Sequence, residues 1–177
     1  CSWPAAGVAG GDAALARGRG DAKAAAGSPK RARAGCRVID ELPFWFNGRG
    51  FVNGCRSRLG VYENGAHRFL TGENTDVSLG GLSPDGKKLS FTASDWTGSA
   101  PIEDRLCLLD TDTLEIEDVT VREGAQPYWS LPLGGGRLAA LVNTMAKHGL
   151  NENPKPLLLK GGARAPVLRH RDTASRS

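Results

Sequence analysis

The sequence predicts an all-β chain. Short apolar runs recur between Val38 and Lys160, turn residues bound each run, and helical 3.6-residue periodicity is nowhere sustained. The 24 glycines and 10 prolines of the 177 residues supply the many turns such a chain needs.

Composition divides the chain into three stretches: 1–35, 36–160 and 161–177. The first is rich in Ala, Gly, Arg and Ser and has almost no large apolar side chain after Trp3. It buries too little apolar surface to offset the entropy of ordering, so a disordered tail is expected. Its Arg19-Gly20-Asp21 tripeptide is read as a chance match, because short motifs are frequent in such tracts. The last stretch returns to Ala/Arg/Ser composition and is also expected to be disordered.

Strands follow one another through the middle stretch. Leu59-Gly60-Val61-Tyr62, the turn Glu63-Asn64-Gly65 and His67-Arg68-Phe69-Leu70 read as a hairpin. Ser83-Pro84-Asp85-Gly86 is a tight corner in which proline presets φ and glycine takes the left-handed position. It leads into the strand Lys88-Leu89-Ser90-Phe91-Thr92. Arg105–Asp110 and Leu114–Val119 flank the turn Thr111-Asp112-Thr113, and the second of them alternates apolar and acidic residues as a half-wet strand does. Arg137–Val142 and Pro156–Lys160 complete the set.

An internal repeat narrows the fold class. Gly81–Phe91 resembles Tyr128–Ala140: each runs apolar or aromatic, then Ser, then a Pro-containing turn ending in Gly, then a basic residue and an apolar strand. The copies are separated by just under ~50 residues, the length of one four-stranded propeller blade. A partial β-propeller of about two to three four-stranded antiparallel blades, spanning 36–160, is the expected architecture. Closed propellers have about 4–8 blades, so the ring is incomplete and a truncated piece of a longer product is expected. The start at Cys1 instead of methionine points the same way, and the compositional shifts at both ends are what a reading-frame error in GC-rich DNA produces.

Ser83-Pro84-Asp85-Gly86-Lys87-Lys88-Leu89-Ser90-Phe91 resembles the repeat of TolB-like and prolyl-oligopeptidase-type propellers. Leu42-Pro43-Phe44-Trp45-Phe46-Asn47-Gly48-Arg49-Gly50-Phe51 is similar to the lead-in of the propeller in the acylaminoacyl-peptidase branch of that serine peptidase family. Arg68-Phe69-Leu70-Thr71 resembles the end of a blade strand there. The resemblance implies a non-catalytic propeller portion that gates access of peptide substrates to an α/β-hydrolase domain. The alternatives are a TolB-like protein-binding propeller and a mistranslated fragment without activity.

The family resemblance implies a serine nucleophile in a G-x-S-x-G elbow followed by an aspartate and a histidine. No such elbow exists in the chain. Ser57 has arginine neighbours, and Ser99 lacks the second glycine and a preceding strand. His67 reads as a surface residue on a strand, His148 as a solvated loop residue and His170 as part of the tail. No catalytic residue is therefore expected here. Asp110-Thr111-Asp112 has too few ligands for calcium and reads as a turn. Gly134-Gly135-Gly136 leads into no helix, so it is not read as a phosphate cradle. Trp45, Trp96 and Trp129 read as packing residues.

Cys1, Cys36, Cys55 and Cys107 show no metal-ligand spacing. No metal or cofactor is expected. The net charge of +4 comes from Arg and Lys at the two ends, with a middle of mixed sign, so a nucleic-acid-binding face is not expected. There is no apolar run of about 20 residues, hence no membrane helix, and no signal peptide is visible. Cytoplasmic residence is the default expectation.

Overall fold

The structure, a computed structural model, describes residues 8–10, 13–21, 39–47, 50–63, 66–121 and 124–160. Its strands, in chain order, are β1 (Val8–Gly10), β2 (Ala13–Asp21), β3 (Trp45–Phe46), β4 (Gly50–Phe51), β5 (Cys55–Glu63), β6 (Ala66–Phe69), β7 (Thr75–Leu82), β8 (Lys88–Asp95), β9 (Arg105–Asp110), β10 (Ile116–Asp118), β11 (Gln126–Gly134), β12 (Arg137–Asn143) and β13 (Lys155–Lys160). A single 3-10 turn at Gly149–Asn151 is the only helical element among the described residues. The chain is all-β, as expected.

Three sheets have blade-like dimensions: β1-β2-β5-β6, β10-β9-β8-β7 and β11-β12-β13, with β3 and β4 forming a short hairpin. The second and third are consecutive meanders, the connectivity of propeller blades. Their number agrees with the two to three blades expected. Two compact units divide the chain, Cys1–Ser78 with Ala93–Ile102, and Leu79–Thr92 with Glu103–Ser177. Strands β7 and β8 run through both.

Within 1–35 the structure describes two strands. β2 pairs along its whole length with β5, from Ala13↔Glu63 to Asp21↔Cys55, and β1 pairs with β2. Backbone hydrogen bonds to an open strand edge need no large side chains, which is why composition alone does not reveal these strands. Arg19-Gly20-Asp21 is thereby placed inside β2 and not in a loop. The remainder of that stretch, and all of 161–177, lie outside the described residues.

In the first unit, Val52, Leu59, Val61, Val77, Ala93 and Trp96 are buried. Leu59 and Val61 lie on β5, which alone carries both an apolar stripe and the buried Arg56. The segment before β3 is pinned by its backbone: the N–H groups of Asp40 and Glu41 both donate to Asn53 Oδ1, and Leu42 exchanges bonds with Gly98 and Ala100. The Leu42–Pro43 peptide is cis.

In the second unit, strand register shows how the third sheet is built. Leu138, Ala140 and Val142 of β12 face the same way as Leu157 and Leu159 of β13, and all five are buried with Leu106, Val121 and Ala125 in one core. The alternate residues form the other face: Trp129, Ala139, Leu141, Pro156 and Leu158 share it by direct cross-strand pairing. None of these five is buried. A sheet with one wet face normally alternates apolar with polar residues. This one is apolar on both sides.

Candidate functional site

The Ser83-Pro84-Asp85-Gly86 corner forms as expected. Gly86 N–H donates to the Ser83 carbonyl at 2.9 Å, and Gly86 sits at φ +73°, a conformation that glycine adopts without steric cost. The Ser83 hydroxyl donates to Asp85 Oδ1 at 2.6 Å and accepts from Lys88 N–H at 2.8 Å. Asp85 also accepts from Lys87 N–H at 3.1 Å. The Ser83 hydroxyl foremost, then the Lys87 amide, hold the Asp85 carboxyl below the usual carboxylate range.

The turn after β9 docks onto that corner. Thr111 Oγ1 donates to the Gly86 carbonyl at 2.8 Å, and Thr111 N–H donates to the Lys87 carbonyl at 3.0 Å. Asp110 Oδ1 accepts from the N–H groups of Asp112 and Thr113, both at 3.0 Å, while its Oδ2 lies 2.9 Å from Lys88 Nζ. The Thr113 amide, then Lys88, push the Asp110 carboxyl well below its ordinary range. This carboxylate closes its own turn, as the β-turn reading of 110–112 expects.

The second copy of the repeat has different geometry. Gly135 and Gly136 form a two-residue hairpin turn with φ +59° and +67°, the pairing that a type I′ turn requires. Glycines allow so tight a turn that β11 extends to Gly134, and Ser130 falls inside the strand opposite Ala140 instead of capping a corner. Ser83 and Ser130, matched in sequence, therefore do different work.

Corner, turn and hairpin together line a cleft of about 360 Å³. Leu108, Val119, Pro132 and Leu138 give it an apolar floor. Lys87, Lys88 and Arg137 on the rim are matched in number by Asp85, Asp110 and Glu117. The cleft does not select a ligand by net charge.

The structure does not assemble the nucleophile and histidine candidates. Ser57 is buried on β5, and its N–H donates to Asp76 Oδ1 at 2.7 Å. His67 on β6 pairs with Tyr62, which lies five residues beyond Ser57 on β5 and so about 17 Å from it at the rise of a β-strand. The His67 ring packs edge-on against Phe69 at 5.6 Å. Ser99 is exposed and forms a bridge with Leu42, and His148 is exposed beside the 3-10 turn. His170 lies outside the described residues. Of the tryptophans, Trp96 is buried as a packing residue, whereas Trp45 and Trp129 are exposed, at 59% and 48%.

Arg56 is a residue that sequence reasoning passed over. Only 1% exposed, it forms an ion pair with Glu41, donates to the Cys55 carbonyl at 3.0 Å and stacks its guanidinium 4.0 Å above the Trp96 ring. Glu41 accepts from Gly54 N–H as well. An arginine on a strand that carries a second arginine two positions on, Arg58, gives no sequence signal of burial, since its carboxylate partner is fifteen positions away.

No group of three or more metal-ligating side chains occurs among the described residues. Among them, no helix is long and apolar enough to cross a membrane. No family model matches the chain, and no curated protein matches it. Among solved structures it is similar to a prolyl endopeptidase from a study of inter-domain dynamics in catalysis and specificity. That similarity has a TM-score of 0.48 and 12% identity, over 87% of this chain and 19% of the other. It is also similar to an acylaminoacyl peptidase in complex with Z-Gly-Gly-Phe-chloromethyl ketone, with a TM-score of 0.39 and 11% identity, over 85% of this chain and 29% of the other. The chain thus spans less than a third of either protein. With both TM-scores below 0.5, these likenesses assign no role to any residue.

Proposed function

We propose that this chain is a non-catalytic β-propeller portion of a prolyl-oligopeptidase-type serine peptidase. In the complete protein it would stack against further blades and an α/β-hydrolase domain and restrict which peptides reach the catalytic serine. The observation that carries the reading is the sheet β11-β12-β13, apolar on both faces. A sheet sandwiched between neighbours in a ring has that pattern, and a sheet lying on one core does not. The corner at Ser83–Gly86 and the element at Leu42–Phe51 add the family, through their sequence resemblance.

The test is labelling of the purified 177-residue chain with a fluorophosphonate probe, alongside hydrolysis of a chromogenic peptide. Neither labelling nor hydrolysis is expected. Probe-sensitive hydrolysis that disappears on substitution of a serine in this chain would overturn the non-catalytic assignment.

A further inference from the structure

The cleft between the Ser83–Gly86 corner and the Gly135–Gly136 hairpin holds groups that the fold itself leaves unused. Leu108 and Val119, two of its floor residues, are only partly buried against the core that contains Leu138. Apolar surface left wet in a concave site is where an apolar ligand gains most. A single benzene ring fits a cavity of about 150 Å³, so a cleft of about 360 Å³ takes a bicyclic ring or its equivalent.

The rim charges match in number and differ in availability. Asp85 Oδ1 accepts from the Ser83 hydroxyl and the Lys87 N–H, and Asp110 is held by two amides of its own turn and by Lys88. Lys87, Arg137 and Glu117 are exposed and, among the described residues, form no ion pair. Lys87 follows the corner directly. Arg137 Nε donates to the Gly134 carbonyl at 3.5 Å, which keeps it at the hairpin tip. Glu117 is the cross-strand partner of Leu108, so it stands beside the floor on the same face of its sheet. Two cations and one carboxylate, all available, thus border one apolar hollow.

We propose that this cleft binds a free α-amino acid with a large apolar side chain: the side chain on the floor, the carboxylate at Lys87 and Arg137, the ammonium at Glu117. Such a ligand is neutral overall and is selected by where its charges lie. A segment inside a longer peptide lacks the terminal charges and cannot engage all three groups. Among the described residues no aromatic ring lines the cleft. A quaternary ammonium, which aromatic cages recognise, is therefore a poorer match than a primary one, which donates charge-assisted hydrogen bonds to a carboxylate. Every residue of the site belongs to the second compact unit, and the inference does not rest on the peptidase reading.

The probe is L-tryptophan, compared with indole-3-propionate, which lacks the ammonium, and tryptamine, which lacks the carboxylate. Equilibrium dialysis against the 177-residue chain should show tryptophan bound with a Kd on the order of 1 mM. Each analogue should bind about two- to fivefold more weakly, the range for one exposed ion pair. Glu117→Gln should weaken tryptophan to the level of indole-3-propionate and leave indole-3-propionate unchanged. Lys87→Gln with Arg137→Gln should weaken both carboxylates and leave tryptamine unchanged. All three positions are exposed, so the far-UV spectrum should not move. Val119→Phe, which fills the floor, should abolish binding of all three indoles with the spectrum retained. Indole-3-propionate bound as tightly as tryptophan would overturn the ammonium subsite in favour of a simple organic anion. Tryptophan affinity unchanged in both charge variants would overturn the rim assignment. Binding indifferent to Val119→Phe, or no binding at about 10 mM, ten times that Kd, would overturn the site. None of these readouts involves hydrolysis or fluorophosphonate labelling, so this proposal and the peptidase reading fail separately.

Discussion

The Ser90 hydroxyl of β8 lies 3.0 Å from the carbonyl oxygen of Ser130, joining one sheet to the edge strand of the next. Ser90 Oγ also accepts from Gly81 N–H at 3.0 Å and lies 3.1 Å from the Gly81 carbonyl oxygen. Both serines are fully buried. Ser90→Ala removes this hub and strands buried backbone groups, at an expected cost of about 1–3 kcal/mol. Urea unfolding of the variant measures it, and a change under a few tenths would deny the hub a stabilising role.

Gly80 sits beneath the two hydroxyls. A Cβ there would lie 2.6 Å from Ser90 Oγ and from Ser130 Oγ, and 2.7 Å from the Ser130 carbonyl oxygen. Gly80→Ala should destabilise by about 1–3 kcal/mol through overpacking. At Gly54 a Cβ would meet nothing within 4 Å, so any cost of Gly54→Ala comes from its positive φ alone. Comparing the two urea midpoints separates crowding from backbone strain.

Arg56 and Glu41 form a buried pair of unequal exposure, 1% and 15%. Removing one partner leaves a charge uncompensated, so Glu41→Gln should cost about 3 kcal/mol, the low end for a buried pair. The double variant Glu41→Leu with Arg56→Met should recover most of that loss, because an apolar pair of similar volume carries no desolvation penalty. A double variant that is less stable than Glu41→Gln would show that the cation over Trp96 matters more than the ion pair.

Acid should weaken the corner region. Asp85 and Asp110 both have carboxyls held below the ordinary range, by the Ser83 hydroxyl and the Thr113 amide respectively. Their stabilising contribution is complete above the unfolded carboxylate value near ~3.9 and is lost as pH falls through the lower folded values. The urea midpoint, followed from pH 7 to pH 2, should therefore fall below about pH 4. Asp110→Asn should flatten that part of the profile. An equal slope in wild type and variant would contradict the assignment.

Much of the strand pattern was legible. β5 with β6, then β8, β9, β12 and β13, follow the apolar runs closely, because each buries its own residues. β7 and β11 were not legible as strands. β7 carries Gly80 and Gly81, which weaken any strand signal, yet the close approach of Ser90, Ser130 and Leu131 leaves no room there for a side chain. β11 contains Pro127 and Pro132 together with register shifts, which only an edge strand tolerates. β1 and β2 lie in an Ala/Gly/Arg-rich stretch that carries no alternation of apolar and polar residues from which to read a strand.

By itself the sequence determined the all-β class, the left-handed glycine at Gly86 and the absence of a G-x-S-x-G elbow. These are local matters of period, dihedral preference and residue order. Tertiary structure decided that Arg56 is buried beneath Glu41, that Ser83 and Ser130 differ in role, and that β11-β12-β13 has a second apolar face. Each of these depends on which strand lies beside which, and cross-strand register is set by contacts between residues far apart in the chain.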